Sequence, residues 1–178
     1  MNVKNELREK LKIKRKYFEG YRRQTADAAI FENFFNAYGG CNSFLVYNSV
    51  GTEADTKAII GQLLKDGKKV YLPRVCGEQI LAVPYGETHK GAFGIEEPEG
   101  EPYTGEIDIT VVPLLAVNGQ GVRIGYGKGY YDRYLADRHT KKVGLGYFFQ
   151  FENFEGEEHD IPLDEFVCEK GIYYYANK

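Results

Sequence analysis

The chain opens with two segments whose apolar residues recur at helical spacing. They predict helices over residues 2–19 and 25–38, the second with Thr25 as its N-cap. Charged residues cover most of the circumference of the first helix and leave a thin apolar stripe. In the second, apolar residues recur every fourth position as far as Tyr38, after which two glycines end the helix.

Beyond these helices, short apolar runs alternate with helical patterns. Strands are predicted over residues 43–47, 69–73, 80–85, 107–117, 143–147 and 171–175, and helices over residues 55–65 and 130–138. The alternation predicts an α/β fold: a single three-layer domain over residues 1–178, with a mostly parallel, Rossmann-like sheet flanked by helices. Residues 107–117 should form a central strand and residues 171–175 an edge strand. Ligands of such sheets bind beyond the carboxyl ends of the strands.

Composition gives no reason to expect nucleic acid or a membrane as a partner, because the formal net charge is only -3. The charge is nevertheless uneven along the chain. Residues 1–23 hold nine Lys or Arg against three Glu, and residues 152–169 hold eight Asp or Glu and no Lys or Arg. A basic arm and an acidic tail could bracket a phosphate and its metal ion. The alternative is two solvated surfaces.

The three cysteines are Cys41, Cys76 and Cys168. Their odd number and the lack of a C-x-x-C pair argue against a disulfide framework or a zinc site. The sequence shows neither an N-terminal apolar run before a cleavage-like site nor an 18-residue apolar stretch. We therefore expect a cytoplasmic protein whose partners are small molecules, and we expect it to be a monomer.

The strongest chemical signal is a glycine-rich loop over residues 118–132, with five glycines within eleven residues. A predicted strand precedes it and a predicted helix follows, an arrangement in which backbone N–H groups can bind an anion. Arg123 and Lys128 would add the positive charge that a polyphosphate requires, and Asp132 could hold Mg²⁺ against it. The spacing matches neither a P-loop nor a Rossmann fingerprint. A flexible surface hairpin is the alternative.

Residues 123–132 read R-I-G-Y-G-K-G-Y-Y-D and follow an apolar strand that contains Pro113. This motif resembles the 5-formyltetrahydrofolate cyclo-ligase family, the methenyltetrahydrofolate synthetases. The resemblance extends over nearly the whole chain, because further motifs occur in the family's order and spacing. They are K-x-x-x-R from Lys4, E-x-D-T from Glu53, L-P-R from Leu72, G-I-x-E-P from Gly94 and D-x-P from Asp160.

The resemblance implies a role for each matching residue. Lys128 and Arg123 would be catalytic, and Asp132 with Asp160 would bind Mg²⁺. ATP would be held by Lys4, Arg123, Ile124, Gly125, Tyr126, Gly127, Lys128, Gly129, Tyr130 and Tyr131. The folate substrate would be held by Arg8, Asn48, Glu53, Tyr126, Gly127, Lys128, Gly129 and Tyr130. A carboxylate such as that of Glu53 can accept paired hydrogen bonds from an aminopyrimidine edge.

The implied reaction uses ATP, with Mg²⁺ as cofactor, to close 5-formyltetrahydrofolate to 5,10-methenyltetrahydrofolate. The formyl oxygen attacks the γ-phosphate, N10 closes on the activated carbon, and ADP and phosphate are released. The residues alone leave two other functions open: another small-molecule kinase, or a non-catalytic module that binds a nucleotide or sugar phosphate. Departures from the family pattern at Ala54, Val117-Asn118 and Cys168 bear on the shape of the pocket.

Overall fold

The computed structural model describes residues 2–175, which form four α-helices and eleven strands. The helices are α1 (Val3–Tyr17), α2 (Gly20–Tyr38), α3 (Lys57–Lys65) and α4 (Tyr130–Leu135). The strands are β1 (Ser43–Val46), β2 (Lys69–Cys76), β3 (Gln79–Pro84), β4 (Thr88–Lys90), β5 (Glu96–Pro98), β6 (Ile109–Val112), β7 (Ala116–Val117), β8 (Arg123–Ile124), β9 (Lys141–Leu145), β10 (Glu165–Cys168) and β11 (Gly171–Tyr174). Short 3₁₀ turns stand at Ala92–Gly94 and Phe148–Gln150. Within residues 2–175, no helix has both the length and the apolarity needed to cross a membrane.

Seven of the strands form one sheet in the order β11-β10-β9-β6-β1-β2-β3. The five inner strands, from β10 to β2, pair in parallel, and β11 and β3 close the two edges antiparallel. The predicted mostly parallel sheet is confirmed, and so is the edge strand near the end of the chain. Two short hairpins, β4–β5 and β7–β8, lie outside this sheet.

Both faces of the sheet are covered, because successive strand residues pack into different cores. In β1, Phe44 and Val46 join a core with buried residues of α2 and α3, whereas Leu45 joins a second core with residues of α4. All three side chains are fully buried, as expected of a strand inside a parallel sheet. Helix, sheet and helix therefore form the predicted three layers.

The predicted central strand over residues 107–117 is divided into β6 and β7. Pro113 has no N–H group to give to a sheet, and β6 ends just before it. The carbonyl of Leu114 then accepts hydrogen bonds from the side chains of Arg15 and Gln150. The chain thereby leaves the sheet, and β7 pairs with β8 in the hairpin that leads to the glycine-rich loop.

Two helices differ markedly from the prediction, and four strands, β4, β5, β8 and β10, are absent from it. Helix α2 begins at Gly20, so Thr25 lies inside the helix and is not its N-cap. Helix α4 ends at Leu135, only roughly one and a half turns after its start. Strand β10 is absent from the prediction because it lies in the acidic stretch near the end of the chain. Its Glu165 is buried, and there it accepts a hydrogen bond from the hydroxyl of Tyr38.

Helix α1 is attached to the hairpin β7–β8 by a small apolar core. Leu11, which is fully buried, packs there with Ala116, Ile124 and Phe154. The turn of the hairpin is fixed by Asn118, whose side-chain oxygen accepts two backbone N–H groups. This packing holds α1 beside the loop that follows β8, so the basic side chains of the helix can reach that loop.

Leu11→Ala removes the centre of this small core. We expect it to lower the free energy of unfolding by about 2 to 5 kcal/mol, the usual range for a fully buried leucine. Urea denaturation followed by circular dichroism measures the change. The control is Ile13→Ala on the same helix, because Ile13 is 56% exposed and should alter stability by no more than about 0.5 kcal/mol. Equal effects of the two substitutions would contradict this description of how α1 is held.

Candidate active site

The loop that joins β8 to α4 lies between two cavities. The larger has a volume of about 560 Å³ and the smaller a volume of about 220 Å³. Arg123, in the strand that leads into the loop, and Gly129, at the end of the loop, line both cavities. The loop is therefore the shared wall across which two bound ligands would meet.

The larger cavity lies at the carboxyl end of β1 and beside β2, in agreement with the rule for parallel sheets. Its lining is mostly apolar and includes five aromatic rings, those of Tyr47, Phe93, Tyr126, Tyr130 and Tyr131. Charged side chains also reach it from several elements: Arg15, Glu53, Glu96, Glu97, Arg123 and Lys128. A flat ring system that carries a few polar groups is the kind of ligand that fits such a cavity.

The smaller cavity is enclosed by charged side chains of both signs. The cations are Lys4 and Arg8 from α1 and Arg123 from β8, and the acids are Asp132, Glu157 and Asp160. Lys4 Nζ lies 3.1 Å from Asp160 Oδ2 and 3.3 Å from Glu157 Oε1. Basic groups from the start of the chain and acidic groups from its last third therefore meet at one place, as one of the two interpretations of the charge pattern predicts.

Arg123 is the most deeply placed cation of the loop, with a side chain that is only 7% exposed. Its Nη1 donates to the carbonyl of Pro113 at 3.4 Å, and its Nη2 lies 3.7 Å from Asp132 Oδ1. Burial lowers the pKa of the guanidinium, and the nearby Asp132 carboxylate opposes that shift. Its buried Nε has no hydrogen-bond partner among residues 2–175. Because Arg123 lines both cavities, its positive charge is close to any anionic ligand bound at their boundary.

Backbone conformation and close approach explain why glycines occupy this loop. Gly127 and Gly129 have φ values of 93° and 71°, which other residues rarely adopt. The guanidinium of Arg8 lies against Gly127, and its Nε donates to the carbonyl of Gly125 at 2.9 Å. Helix α4 is too short to contribute a large dipole. The charge for binding phosphate must therefore come mainly from arginine and lysine side chains.

Glu53 supplies a buried acid to the larger cavity and is only 8% exposed. Its Oε1 accepts the N–H of Val50 at 2.9 Å, and its Oε2 accepts the hydroxyl of Tyr126 at 3.2 Å. Burial raises the pKa of Glu53, whereas the Val50 hydrogen bond and the charge of Arg15 oppose this shift. Its oxygens therefore do not cap α3, because these hydrogen bonds go to Val50 and Tyr126.

Oxygen ligands suitable for a magnesium ion stand on the wall of the smaller cavity. Glu157, His159 and Asp160 place one ligand atom each within 4.8 Å of one another. Asp132 lines the same cavity but does not belong to that close group. Carboxylate oxygens are the donors that Mg²⁺ prefers, so the acids of this wall fit that ion and the imidazole fits it less well.

The predicted site residues are divided between the two cavities. The smaller one is lined by Lys4, Arg8, Arg123, Ile124, Gly125, Gly127, Gly129, Asp132 and Asp160. The larger one is lined by Asn48, Glu53, Arg123, Tyr126, Lys128, Gly129, Tyr130 and Tyr131. Two placements are the reverse of those expected: Arg8, expected at the folate, lines only the smaller cavity, and Tyr131, expected at ATP, lines only the larger one. Of the residues expected at both ligands, Gly127 lines only the smaller cavity. The others that line a single cavity, Tyr126, Lys128 and Tyr130, line the larger one, where Lys128 Nζ is 5.6 Å from the ring centre of Phe93.

Among the residues of the larger cavity that sequence reasoning missed, Arg15 and Phe93 stand out. Arg15 is buried at 6% exposure, and a signal for it exists, because Lys4, Arg8, Leu11 and Arg15 recur at intervals that place them on one face of a helix. Phe93 is 65% exposed and has a positive φ of 60°. It stands in the turn between β4 and β5, and nothing in the local sequence indicates that this turn borders a cavity.

The fold and the two cavities define a small α/β protein in which a cavity suited to an anionic ligand adjoins a cavity suited to a ring-shaped ligand. Comparisons with known proteins agree with this class. The solved structure of a 5,10-methenyltetrahydrofolate synthetase from Aquifex aeolicus superposes with a TM-score of 0.88 at 33% identity, over 99% of this chain and 95% of its own.

Sequence comparisons lead to the same group of proteins. The sequence model described as the 5-formyltetrahydrofolate cyclo-ligase family matches residues 1–169. A probable 5-formyltetrahydrofolate cyclo-ligase of Caenorhabditis elegans is 29% identical over 94% of this chain and 93% of its own length. The Escherichia coli protein of that name is 32% identical over 72% of this chain and 78% of its own. The chain belongs to the 5-formyltetrahydrofolate cyclo-ligase family, and the resemblance inferred from its motifs is confirmed.

Gly125→Ala tests the contact between the loop and Arg123. A Cβ at this position would come within 2.6 Å of Arg123 Nη1, so the guanidinium must move away from the boundary of the two cavities. We expect ATP to bind at least about tenfold more weakly, a loss of roughly 1.4 kcal/mol, as measured by calorimetry. Gly119→Ala is the control, because its Cβ would meet only the Phe151 ring, at 4.0 Å. Equal affinities of the two variants would contradict the proposed position of the anion.

Proposed function

We propose that this chain catalyses the ATP-dependent closure of 5-formyltetrahydrofolate to 5,10-methenyltetrahydrofolate, with release of ADP and phosphate. The observation that carries the proposal is the glycine-rich loop between two unlike cavities, with Arg123 in the wall of both. The smaller, charged cavity suits a polyphosphate, and the larger, aromatic cavity suits a reduced folate. Membership of the cyclo-ligase family supports this reaction over the alternatives.

In the proposed reaction the formyl oxygen attacks the γ-phosphate of ATP, and the bond from the γ-phosphorus to ADP breaks. The formyl oxygen thereby becomes part of a phosphate leaving group. N10 then forms a bond to the formyl carbon, the N10 proton goes to solvent, and phosphate departs with the oxygen. The protein contributes mainly by holding the two substrates in contact and by stabilising the transferred phosphoryl group.

The proposed roles follow from where each side chain lies. Arg123 contacts the phosphates from the boundary of the cavities, and Lys128 meets the phosphoryl group from the side of the larger one. Lys4 and Arg8 bind phosphate oxygens at the smaller cavity. Glu53 accepts hydrogen bonds from the aminopyrimidine edge of the folate, a pairing that a carboxylate with free lone pairs can make.

Asp160, with Glu157 and Asp132, would hold the magnesium ion. The ion, when bound, supplies charge that offsets the charge of the phosphates. In this arrangement Lys4 lies next to the ion site through its contacts with Asp160 and Glu157. We further propose that the chain uses Mg²⁺ and forms a single domain over residues 1–178. We also propose that it is a monomer and is located in the cytoplasm.

One assay separates the proposed function from the two alternatives. Purified protein is incubated with ATP, Mg²⁺ and 5-formyltetrahydrofolate, and formation of the methenyl product is followed by its near-ultraviolet absorbance. Another small-molecule kinase would form no methenyl product and would release ADP only if it phosphorylated the folate, and a binding module would release neither ADP nor product. Absence of the methenyl product in this assay would refute the proposed function.

Lys128→Ala should reduce turnover by about 10² or more, because its ammonium group is placed to stabilise the developing charge. The side chain is exposed, so we expect the melting temperature to change by no more than a few degrees. Steady-state kinetics measure kcat, and thermal unfolding checks the fold. Lys65→Ala, at an exposed position at the end of α3, is the control for loss of one charge. A Lys128→Ala enzyme as active as this control would exclude the catalytic role.

Asp160→Asn and Asp132→Asn test the magnesium site separately. Asp160 belongs to the close group of ligand atoms, so its amide variant should need at least about tenfold more Mg²⁺ for half-maximal activity. Asp132 lies outside that group, and its variant should show a smaller increase. Magnesium titrations at saturating ATP and folate measure both. If both titrations match that of the wild type, the metal site lies elsewhere.

A further inference from the structure

Arg15 is a buried arginine to which neither the family motifs nor the proposed reaction assigns a role. It is 6% exposed and makes three hydrogen bonds from its guanidinium. Nε donates to Thr52 Oγ1 at 3.1 Å, Nη1 to the carbonyl of Leu114 at 3.4 Å, and Nη2 to the hydroxyl oxygen of Tyr126 at 2.9 Å. These contacts join α1 to three separate segments around the larger cavity.

The direction of the hydrogen bonds around Tyr126 is fixed by chemistry. An arginine side chain has only donors, so the oxygen of Tyr126 must accept from Arg15. The single hydroxyl hydrogen of Tyr126 is then donated to Glu53 Oε2, 3.2 Å away. The other oxygen of Glu53 accepts the N–H of Val50. Both carboxyl oxygens of Glu53 therefore act as acceptors, which is the behaviour of an ionised carboxylate.

We propose that Arg15 is a positioning residue which, through Tyr126, keeps Glu53 ionised and oriented to accept hydrogen bonds from the folate ring. This inference rests on the proposed function, in which Glu53 binds the folate. Two of the roughly four lone-pair positions of a carboxylate are occupied by Val50 and Tyr126. The remaining positions are left for two N–H donors of a ligand in the cavity.

Other groups around Glu53 also influence its charge. Lys57 of α3 favours the carboxylate, as Arg15 of α1 does. Tyr47 from the end of β1 and Tyr131 of α4 are close enough for the charge of Glu53 to raise their pKa values, and both are neutral phenols near neutral pH. From α2, Arg23 donates to the backbone carbonyl of Glu53 at 2.7 Å and holds the segment itself.

The sign of the pH effect follows from these contacts. Burial raises the pKa of Glu53, and Arg15 opposes that shift. Removing the guanidinium takes away one of the groups that counteract the effect of burial on Glu53. The pKa of Glu53 then rises further, and the carboxylate becomes protonated at a higher pH. Only the ionised form of Glu53 has acceptors on both oxygens and no O–H donor. Affinity for the folate should therefore be lost as pH falls through that pKa. In an Arg15 variant this loss should begin at a higher pH.

The experiment compares Arg15→Met, Arg15→Lys and Lys16→Met with the wild type. Lys16 is the neighbouring exposed position on α1 and controls for loss of one charge. We measure kcat/KM for 5-formyltetrahydrofolate across about pH 5 to 8, together with KM for ATP. For Arg15→Met we expect KM for the folate to rise at least tenfold, the acid limb to move to higher pH, and KM for ATP to stay within about twofold. Arg15→Lys should return the limb towards that of the wild type.

Binding without turnover gives a second measurement. Calorimetry with 5-formyltetrahydrofolate in the absence of ATP should show the same shift in the pH dependence of the affinity. If Arg15→Met fails to fold, Tyr126→Phe replaces it, because it removes only the hydroxyl between Arg15 and Glu53 and should give the same shift. An acid limb identical to that of the wild type, or equal increases in both KM values, would overturn the inference. Failure of the wild-type protein to form methenyl product would instead refute the proposed function.

Discussion

Burial of charge at the junction of α1 and the glycine-rich loop is the constraint on which the site depends. Arg15, Glu53 and Arg123 are withdrawn from water to between 6% and 8% exposure. An ion that loses its water without a partner costs several kcal/mol, so each of these side chains must be held by specific donors and acceptors. Arg15 satisfies part of this need for Glu53 through Tyr126. Arg123 is balanced in part by Asp132, whose Oδ1 lies 3.7 Å from its Nη2, and it lines both cavities.

The same constraint explains the form of the loop. On one side the backbone of this segment lies against Arg8, and on the other the segment carries Arg123 into the interior. Little room is left there for other side chains. At Gly125 a Cβ would come 2.6 Å from Arg123 Nη1, and at Gly127 the positive φ of 93° favours glycine. The break at Pro113 also contributes, because it frees backbone carbonyls of this segment to accept from Arg15 and Arg123. A buried strand, a proline and a series of glycines thus act together to place positive charge between two cavities.

Much of this architecture could be predicted from the sequence, since alternating apolar runs and helical patterns indicate a parallel sheet whatever the loops do. Strand β10 could not, because the burial of Glu165 depends on Tyr38, a residue far away along the chain. The division of the site residues between two cavities could not be predicted either, because it also depends on contacts between distant parts of the chain. The motif named the residues of the loop, but only folding decides that Arg8 lies at the smaller cavity and Lys128 at the larger one. Arg15 is one of many charged residues of α1, so its type alone does not distinguish it. Its spacing from Lys4 and Arg8 does indicate that the three lie on one face of the helix.

Helix α1 reaches both cavities, with Lys4 and Arg8 at the smaller one and Arg15 at the larger one. At about 1.5 Å per residue, Arg15 lies roughly 16 Å from Lys4 and roughly 10 Å from Arg8 along the axis. If such a helix moves as a unit, a shift at one cavity also shifts its residues at the other cavity. Thermodynamic linkage then requires a reciprocal relation: any factor by which bound nucleotide improves the affinity for folate is the factor by which folate improves the affinity for nucleotide. The helix is thus a direct physical connection through which binding of one substrate can change the affinity for the other.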